Sequence, residues 1–269
     1  MHQRRKCHRH LWLLSGTGEG PRLAEDLIKR GWNISVSVVS RQASFAYRDL
    51  PLAKLTIGSI SGSEGIKKIL IEAQIAHKGF DLIIDATHPF AALISSNLRE
   101  ACKELDQPLL RYERPIEELG NAKLIHTPKD FSGFDLRGQR LLMAIGSRSL
   151  KEASMAAKEG GAIVFARILP MQESLLKALN SSLPETHLAT LRPIISECSG
   201  DIELALCRKW SITGIVCRQS GGATEKLWQN ISKLMKLDLW LISRPMPPVG
   251  METVNTFEEL LNYLAIIYV

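Results

Sequence analysis

Short apolar runs alternate along this chain with stretches whose apolar residues recur at helical spacing. The runs Leu11–Ser15, Asn33–Val39, Leu55–Ile57, Leu82–Asp85 and Pro108–Tyr112 predict strands in the first half. Leu82, Ile83 and Ile84 form the continuous apolar run of a central parallel strand covered on both faces. Leu23, Leu27 and Ile28 share one face of a first helix that ends at Gly31. Leu93, Leu98, Ala101 and Leu105 do the same for a helix entered at Pro89, whose missing N–H suits a first helical turn. The segment Glu113–Gly138 breaks the rhythm with Arg114-Pro115, Gly120-Asn121, Pro128 and Gly133, and reads as an inter-domain crossing. Alternation then resumes. Strands are predicted at Arg140–Ile145, Ala162–Ala166, His187–Leu191, Thr213–Cys217 and Leu239–Ile242, and helices at Leu150–Glu159, Glu173–Leu179, Asp201–Lys209, Thr224–Met235 and Phe257–Ile267. Each half closes on a strand followed by Arg-Pro, at Arg114-Pro115 and at Arg244-Pro245.

Strand–helix alternation predicts parallel sheets joined by right-handed crossovers. The expected fold class is α/β: two Rossmann-like doubly wound domains with mainly parallel sheets and a cleft between them. The expected division is a basic tail over 1–10, a dinucleotide-binding domain over 11–116 and a second Rossmann-like domain over 117–269.

Composition narrows the function classes. The chain has 269 residues, 45% of them hydrophobic, and no apolar run long enough to span a bilayer. With 6% aromatic residues, base-stacking platforms are not expected. The formal charge of +6 is concentrated in Arg4, Arg5, Lys6 and Arg9, which argues for a basic tail and against a nucleic-acid-binding face on a folded domain. That tail lacks the apolar segment of a secretory signal. Cys7, Cys102, Cys198, Cys207 and Cys217 are scattered, with no Cys-x-x-Cys pair, so a reducing cytoplasm with cysteines as small core residues is expected, and no metal site. The expected oligomeric state is a monomer or a weak homo-oligomer.

The candidate chemistry sits where strands end. Asp85, Thr87 and His88 bunch at the carboxyl end of one strand, where ligands bind in open α/β sheets, and are the candidate catalytic group. The same Asp and Thr also suit capping of the next helix. The first strand runs into Ser15-Gly16-Thr17-Gly18-Glu19-Gly20, a glycine-rich turn before a helix N-terminus. Its Gly-x-Gly-x-Gly spacing departs from the Gly-x-Gly-x-x-Gly dinucleotide pattern. Gly16, Thr17, Gly18 and Glu19 are its candidate cofactor residues, with Ser40 and Arg41 after the second strand. An Arg there, in place of an acidic residue, suits a ribose 2′-phosphate and hence NADPH. In the second half, Gly146, Ser147 and Arg148 follow one strand, while Arg218, Ser220, Gly221, Gly222 and Lys226 follow another. Backbone amides and cations in such turns favour an anionic substrate. No Gly-x-Ser-x-Gly elbow and no Gly-Lys-Ser/Thr phosphate loop occurs.

Taken in order, these pieces resemble the precorrin-6A reductase family of cobalamin biosynthesis, whose members include cobalt-precorrin-6A reductases. The resemblance rests on Gly16-Thr17-Gly18-Glu19 with Arg22-Leu23-Ala24, Arg41, Asp85-Ala86-Thr87-His88-Pro89-Phe90-Ala91, and Leu109-Leu110-Arg111 with Glu113-Arg114-Pro115. It continues through Gly146-Ser147-Arg148, Arg167 with Pro170, Ser220-Gly221-Gly222, Lys226 and Arg244-Pro245. It covers nearly the whole chain from Leu11, and the Asp-Ala-Thr-His-Pro-Phe-Ala run is its most specific part. The resemblance implies an oxidoreductase that uses NADPH to reduce one carbon–carbon double bond of precorrin-6A, giving precorrin-6B. The substrate would be a tetrapyrrole polycarboxylate, which suits the basic turns. There are departures: Ser15-Gly16 stands where the family usually has two glycines, Gly20-Pro21 replaces a more helix-friendly pair, and Arg218 replaces a lysine. The competing readings are another NADPH reductase of the same architecture, and a dinucleotide-sensing regulatory module without chemistry.

Overall fold

In the computed structural model of the chain, residues 9–192 and 200–267 are described. Cys7, Cys198 and most of the expected basic tail lie outside them. The chain divides into two compact units. The first holds residues up to Pro115 and from Pro245 onward, and the second holds Ile116–Arg244.

The first unit runs β1 (His10–Ser15), α1 (Gly20–Ile28), β2 (Asn33–Val38), α2 (Arg41–Ser44), β3 (Lys54–Ile57), α3 (Gly62–Ile75), β4 (Leu82–Ala86), α4 (Ala92–Glu104) and β5 (Leu109–Tyr112). In the second unit follow β6 (Lys123–Ile125), β7 (Arg140–Met143), α5 (Leu150–Glu159), β8 (Ile163–Ile168), α6 (Gln172–Leu179), β9 (Leu188–Thr190), α7 (Asp201–Lys209), β10 (Gly214–Arg218), α8 (Gly222–Met235) and β11 (Asp238–Ile242). The chain then returns to the first unit as β12 (Thr253–Val254) and α9 (Phe257–Ile267).

Each unit is built on a six-stranded sheet, ordered β12-β5-β4-β1-β2-β3 in the first and β6-β11-β10-β7-β8-β9 in the second. Every pairing is parallel. Alternation of side chains along β1 sends Leu11 and Leu13 to one face and Trp12 and Leu14 to the other. The first face is covered by Leu23, Ala24 and Leu27 of α1 and by Leu260 and Leu264 of α9. The second is covered by Ile66 and Leu70 of α3 and by Leu98 and Ala101 of α4. Burial on both faces is what makes these strands read as continuous apolar runs. In the second unit Trp228 and Ile231 of α8 and Cys207 of α7 pack on Leu142, Ile215 and Leu241.

Each sheet's sixth position is filled by a strand from the other side of a crossing. After β5 the chain leaves past Arg114-Pro115 and forms β6 at the edge of the second sheet. After β11 it leaves past Arg244-Pro245 and forms β12 at the edge of the first. The stretch from Pro245 onward therefore belongs to the first unit, not to a second domain over 117–269. Sequence alternation missed this because β12 and β6 have only two and three residues, too short for a period to show. The helix expected at Pro89 begins instead at Ala92. Pro89 is the second residue of a tight turn closed by the Ala91 N–H donating to the His88 carbonyl, 2.7 Å, a position that the fixed φ of proline suits.

Candidate functional site

In the first sheet the chain steps outward from β1 to β2 and β3, then restarts at β4 on the other side of β1. The order reverses between β1 and β4, and a crevice beyond the carboxyl ends of two such strands is the ligand position of a doubly wound sheet. The glycine-rich turn leaves β1 there, and Asp85-Ala86-Thr87-His88 leaves β4. The two turns touch. The Gly16 N–H donates to the Ala86 carbonyl, 3.3 Å. A Cβ at Gly16 would stand 2.9 Å from the His88 nitrogen and 3.3 Å from the Thr87 Cα, so the approach requires glycine. Gly18 is different. A Cβ there would meet nothing within 4 Å. The fold does not need Gly18 bare, which leaves room for a ligand to approach its backbone. The turn feeds α1, which carries Pro21 in its first turn and no acidic residue, and Glu19 at its cap makes no side-chain capping bond. Glu19 is ion-paired with Arg114, 3.2 Å. The Gly20 N–H donates to the Thr17 carbonyl, 3.3 Å, and Pro21 has none, so the open backbone at Gly18 beside the helix N-terminus is what fits the diphosphate of a dinucleotide.

Arg41 is the first residue of α2, exposed, just past the end of β2. Ser40 caps that helix, its Oγ accepting the Ala43 N–H at 3.2 Å.

Beneath the β4 turn lies a closed polar network. Asp85 is fully buried and Arg111, its register partner on β5, is 2% exposed. The Arg111 guanidinium donates to Asp85 Oδ2 at 2.7 Å, Ser95 Oγ at 2.9 Å, Thr87 Oγ1 at 3.2 Å and Glu113 Oε1 at 3.4 Å. Asp85 Oδ1 accepts from the Thr87 hydroxyl, 2.6 Å, and from the Thr87 N–H, 3.0 Å. Both Asp85 oxygens are thus used inside the protein, and its full burial makes it a positioning residue rather than a group that meets substrate. Thr87 and His88, half-buried, stand above it. His88 Nδ1 accepts the Phe90 N–H at 3.2 Å, which places the imidazole hydrogen of the neutral ring on Nε2. His88 so held offers a hydrogen-bond donor; acting as a cation would require giving up the Phe90 bond.

Arg111 and Glu113 stand among the pieces of the resemblance without an assigned site role, and Ser95 is in none of them. The signal is visible in hindsight: Arg111 and Glu113 alternate along a strand whose neighbours are apolar, and charged residues on a covered strand are paired or not there at all.

The second sheet reverses between β7 and β10. Gly146, Ser147 and Arg148 leave β7, and Arg218 ends β10, so the expected anion-binding residues again share a switch point. Gly146 has φ +76° and open space where a Cβ would lie. Burial, and then the nearby charge of Arg148, pull the Arg218 guanidinium below its ordinary value. Two arginines held close without mutual neutralisation favour an anionic ligand.

The turn over Ser220, Gly221 and Gly222 is less open than its sequence implies. The Gly221 N–H donates to Glu225 Oε2, 2.7 Å, and the Gly222 N–H to Glu117 Oε1, 3.3 Å. Lys226 is also paired with Glu117, 3.4 Å. The chain's own carboxylates cap this helix. Ser220 is 5% exposed. Arg148 and Arg218 carry the stronger case for substrate contact. Among the described residues no group of three or more His, Cys, Asp or Glu side chains could hold a metal ion, and no helix is long and apolar enough to cross a membrane.

Two doubly wound parallel sheets, the first with a glycine turn at its switch point, define a Rossmann-like α/β protein. The comparisons identify which. A family model described as "Precorrin-6x reductase CbiJ/CobK" matches residues 10–265, and the chain belongs to that family. Its members are oxidoreductases of the cobalamin pathway. The chain is 32% identical over 250 residues to a cobalt-precorrin-6A reductase of Synechocystis sp., covering 90% of this chain and 91% of that one. It is 28% identical to a precorrin-6A reductase of Rhodobacter capsulatus, covering 95% of each. Among solved structures, a CobK precorrin-6A reductase superposes with a TM-score of 0.75 at 25% identity, covering 96% of this chain and 97% of that one.

Proposed function

We propose that this chain reduces one carbon–carbon double bond of the precorrin-6A macrocycle, with or without cobalt in the ring, using NADPH and giving precorrin-6B. The observation that carries the proposal is the meeting of the glycine turn and the Thr87-His88 turn at the switch point between β1 and β4. When bound, the nicotinamide would supply the hydride. Thr17 and Gly18, at the N-terminus of α1, would hold its diphosphate, and Arg41 the ribose 2′-phosphate. Thr87 and the Nε2 hydrogen of His88 would orient the reacting partners by hydrogen bonds, on a base fixed by Asp85 and Arg111. Arg148 and Arg218 would take carboxylates of the tetrapyrrole, since charge-assisted bonds to guanidinium are strong and directional. Buried free thiols at Cys102, Cys207 and Cys217 accord with a cytoplasmic setting.

The test is oxidation of NADPH by purified protein given precorrin-6A and, in parallel, cobalt-precorrin-6A. Reduced product with either ring supports the reading, and the ratio of the two rates assigns the natural substrate. Tight dinucleotide binding without turnover of either ring would overturn it in favour of a sensor. Arg41→Ala should weaken NADPH binding by about 1.5–3 kcal/mol, roughly ten- to hundredfold, and leave NADH nearly unchanged. Equal loss for both cofactors would remove the 2′-phosphate role.

A further inference from the structure

Tyr47 lies outside every motif above, yet its hydroxyl reaches the floor of the glycine turn. The side chain is 3% exposed, within the apolar cluster under α1. A Cβ at Gly20 would fall 2.2 Å from the Tyr47 hydroxyl oxygen and 1.9 Å from Ser15 Oγ. The two hydroxyls therefore crowd the Gly20 Cα from the end of β1 and from the segment after β2. Gly20 has no left-handed φ to explain its presence. Space for these two oxygens explains it.

Tyr47 closes a short, stiff arm. Ser40 caps α2, the Ser44 hydroxyl donates to the Arg41 carbonyl at 2.7 Å, and a further helical turn over Phe45–Tyr47 follows directly. Arg41 stands exposed at one end of that arm and Tyr47 is buried at the other. A phenylalanine ring would fill the same apolar space without burying a hydroxyl, which costs free energy unless the group does something. Burial pushes the Tyr47 phenol up to about 12, so it stays neutral at any working pH, and its oxygen is buried against Ser15 and Gly20 without a hydrogen-bond partner of its own.

We infer that Tyr47 is a positioning residue for cofactor specificity: its hydroxyl, seated against Ser15 and Gly20, fixes the distance between Arg41 and the glycine turn. The two ends of a 2′-phosphorylated dinucleotide are then read in register. The inference rests on the role given above to Arg41.

The experiment compares Tyr47→Phe, Arg41→Ala and the double variant, measuring KM for NADPH and for NADH and thermal unfolding of each protein. Tyr47→Phe, which empties the space the hydroxyl fills beside Ser15 and Gly20, should shift the ratio of the two KM values toward NADH by roughly three- to tenfold. In the Arg41→Ala background it should shift the ratio no further. An equal rise for both cofactors, or a lower unfolding temperature with no change in the ratio, would make the hydroxyl a plain structural group and overturn the inference. If Arg41→Ala leaves the ratio unchanged, the role of Arg41 fails first. If Arg41→Ala changes it and Tyr47→Phe does not, only the role of Tyr47 fails. Ser15→Ala, which removes the other hydroxyl, should shift the ratio in the same direction as Tyr47→Phe.

Discussion

Replacing Arg111 by methionine keeps an unbranched apolar stem and removes the guanidinium with its charge and donors. Five contacts disappear, at 2.7, 2.9, 3.2, 3.4 and 3.5 Å, and the fully buried Asp85 carboxylate loses its cation. Removing one partner of a buried ion pair costs about 3–5 kcal/mol, because the remaining charge stays desolvated. Taking about 4 kcal/mol and a urea slope of about 2 kcal/mol/M, the unfolding midpoint of the first unit should fall by about 2 M. Hydrogen exchange at β4 and β5 amides reads that unit separately from the second. Asp85→Asn should cost less, about 1.5–3 kcal/mol, since Arg111 keeps Glu113 as a partner. In the double variant Arg111→Met with Asp85→Asn, the cost should be well below the sum of the singles, since the stranded charge has gone with its partner. A loss under about 1 kcal/mol for Arg111→Met, or strict additivity in the double variant, would show that the network is solvated in solution and that the argument from burial is wrong.

Three further outcomes follow from the same geometry. Gly16→Ala should lower stability and turnover together, because its Cβ meets the His88 backbone at 2.9 Å, whereas Gly18→Ala should leave unfolding unchanged and weaken cofactor binding; identical behaviour of the pair in calorimetry and cofactor titration would refute the distinction. His88→Ala should lower kcat by tenfold or more with unaltered unfolding, and full turnover would make His88 structural. Burial raises the Glu225 carboxyl above its ordinary 4.5, with Glu117's charge adding to the effect and the Gly221 N–H opposing it. The folded state then holds that proton more tightly than the unfolded chain, so this contribution to stability is complete below the ordinary range and is lost as pH rises through the raised folded value. Urea midpoints of Glu225→Gln should accordingly fall less steeply above pH 4.5 than those of the parent, and parallel slopes would exclude the effect.

The sequence made ten of the twelve described strands legible, because the central ones, covered on both faces, must be apolar throughout and are punctuated by polar turns. It made legible the residues at their ends for the same reason: Thr87, His88, Gly146 and Arg148 interrupt apolar runs. What it hid was partnership. That Asp85 spends both oxygens on Thr87 and Arg111 depends on register between β4 and β5. Lys226 and the Gly222 amide read as open to an anion, and Glu117, distant in sequence, already occupies them. The edge strands β6 and β12 escaped notice because pairing to a sheet assembled elsewhere, rather than any local period, makes them strands.

The late return of the chain to the first sheet has a consequence for how the protein is made. The Arg111 N–H donates to the Glu252 carbonyl, 2.8 Å, and the Glu113 N–H to the Val254 carbonyl, 2.9 Å. The strand that carries the buried clamp is therefore finished by residues that leave the ribosome some 140 positions later, several seconds at ordinary synthesis rates. Until then β5 is an open edge and the floor beneath Thr87 and His88 is unsupported. A polypeptide interrupted between Lys226 and Thr253 would contain every candidate site residue and lack the backbone partners of Arg111 and Glu113. The floor beneath Thr87 and His88 is thus completed only by the return strand β12.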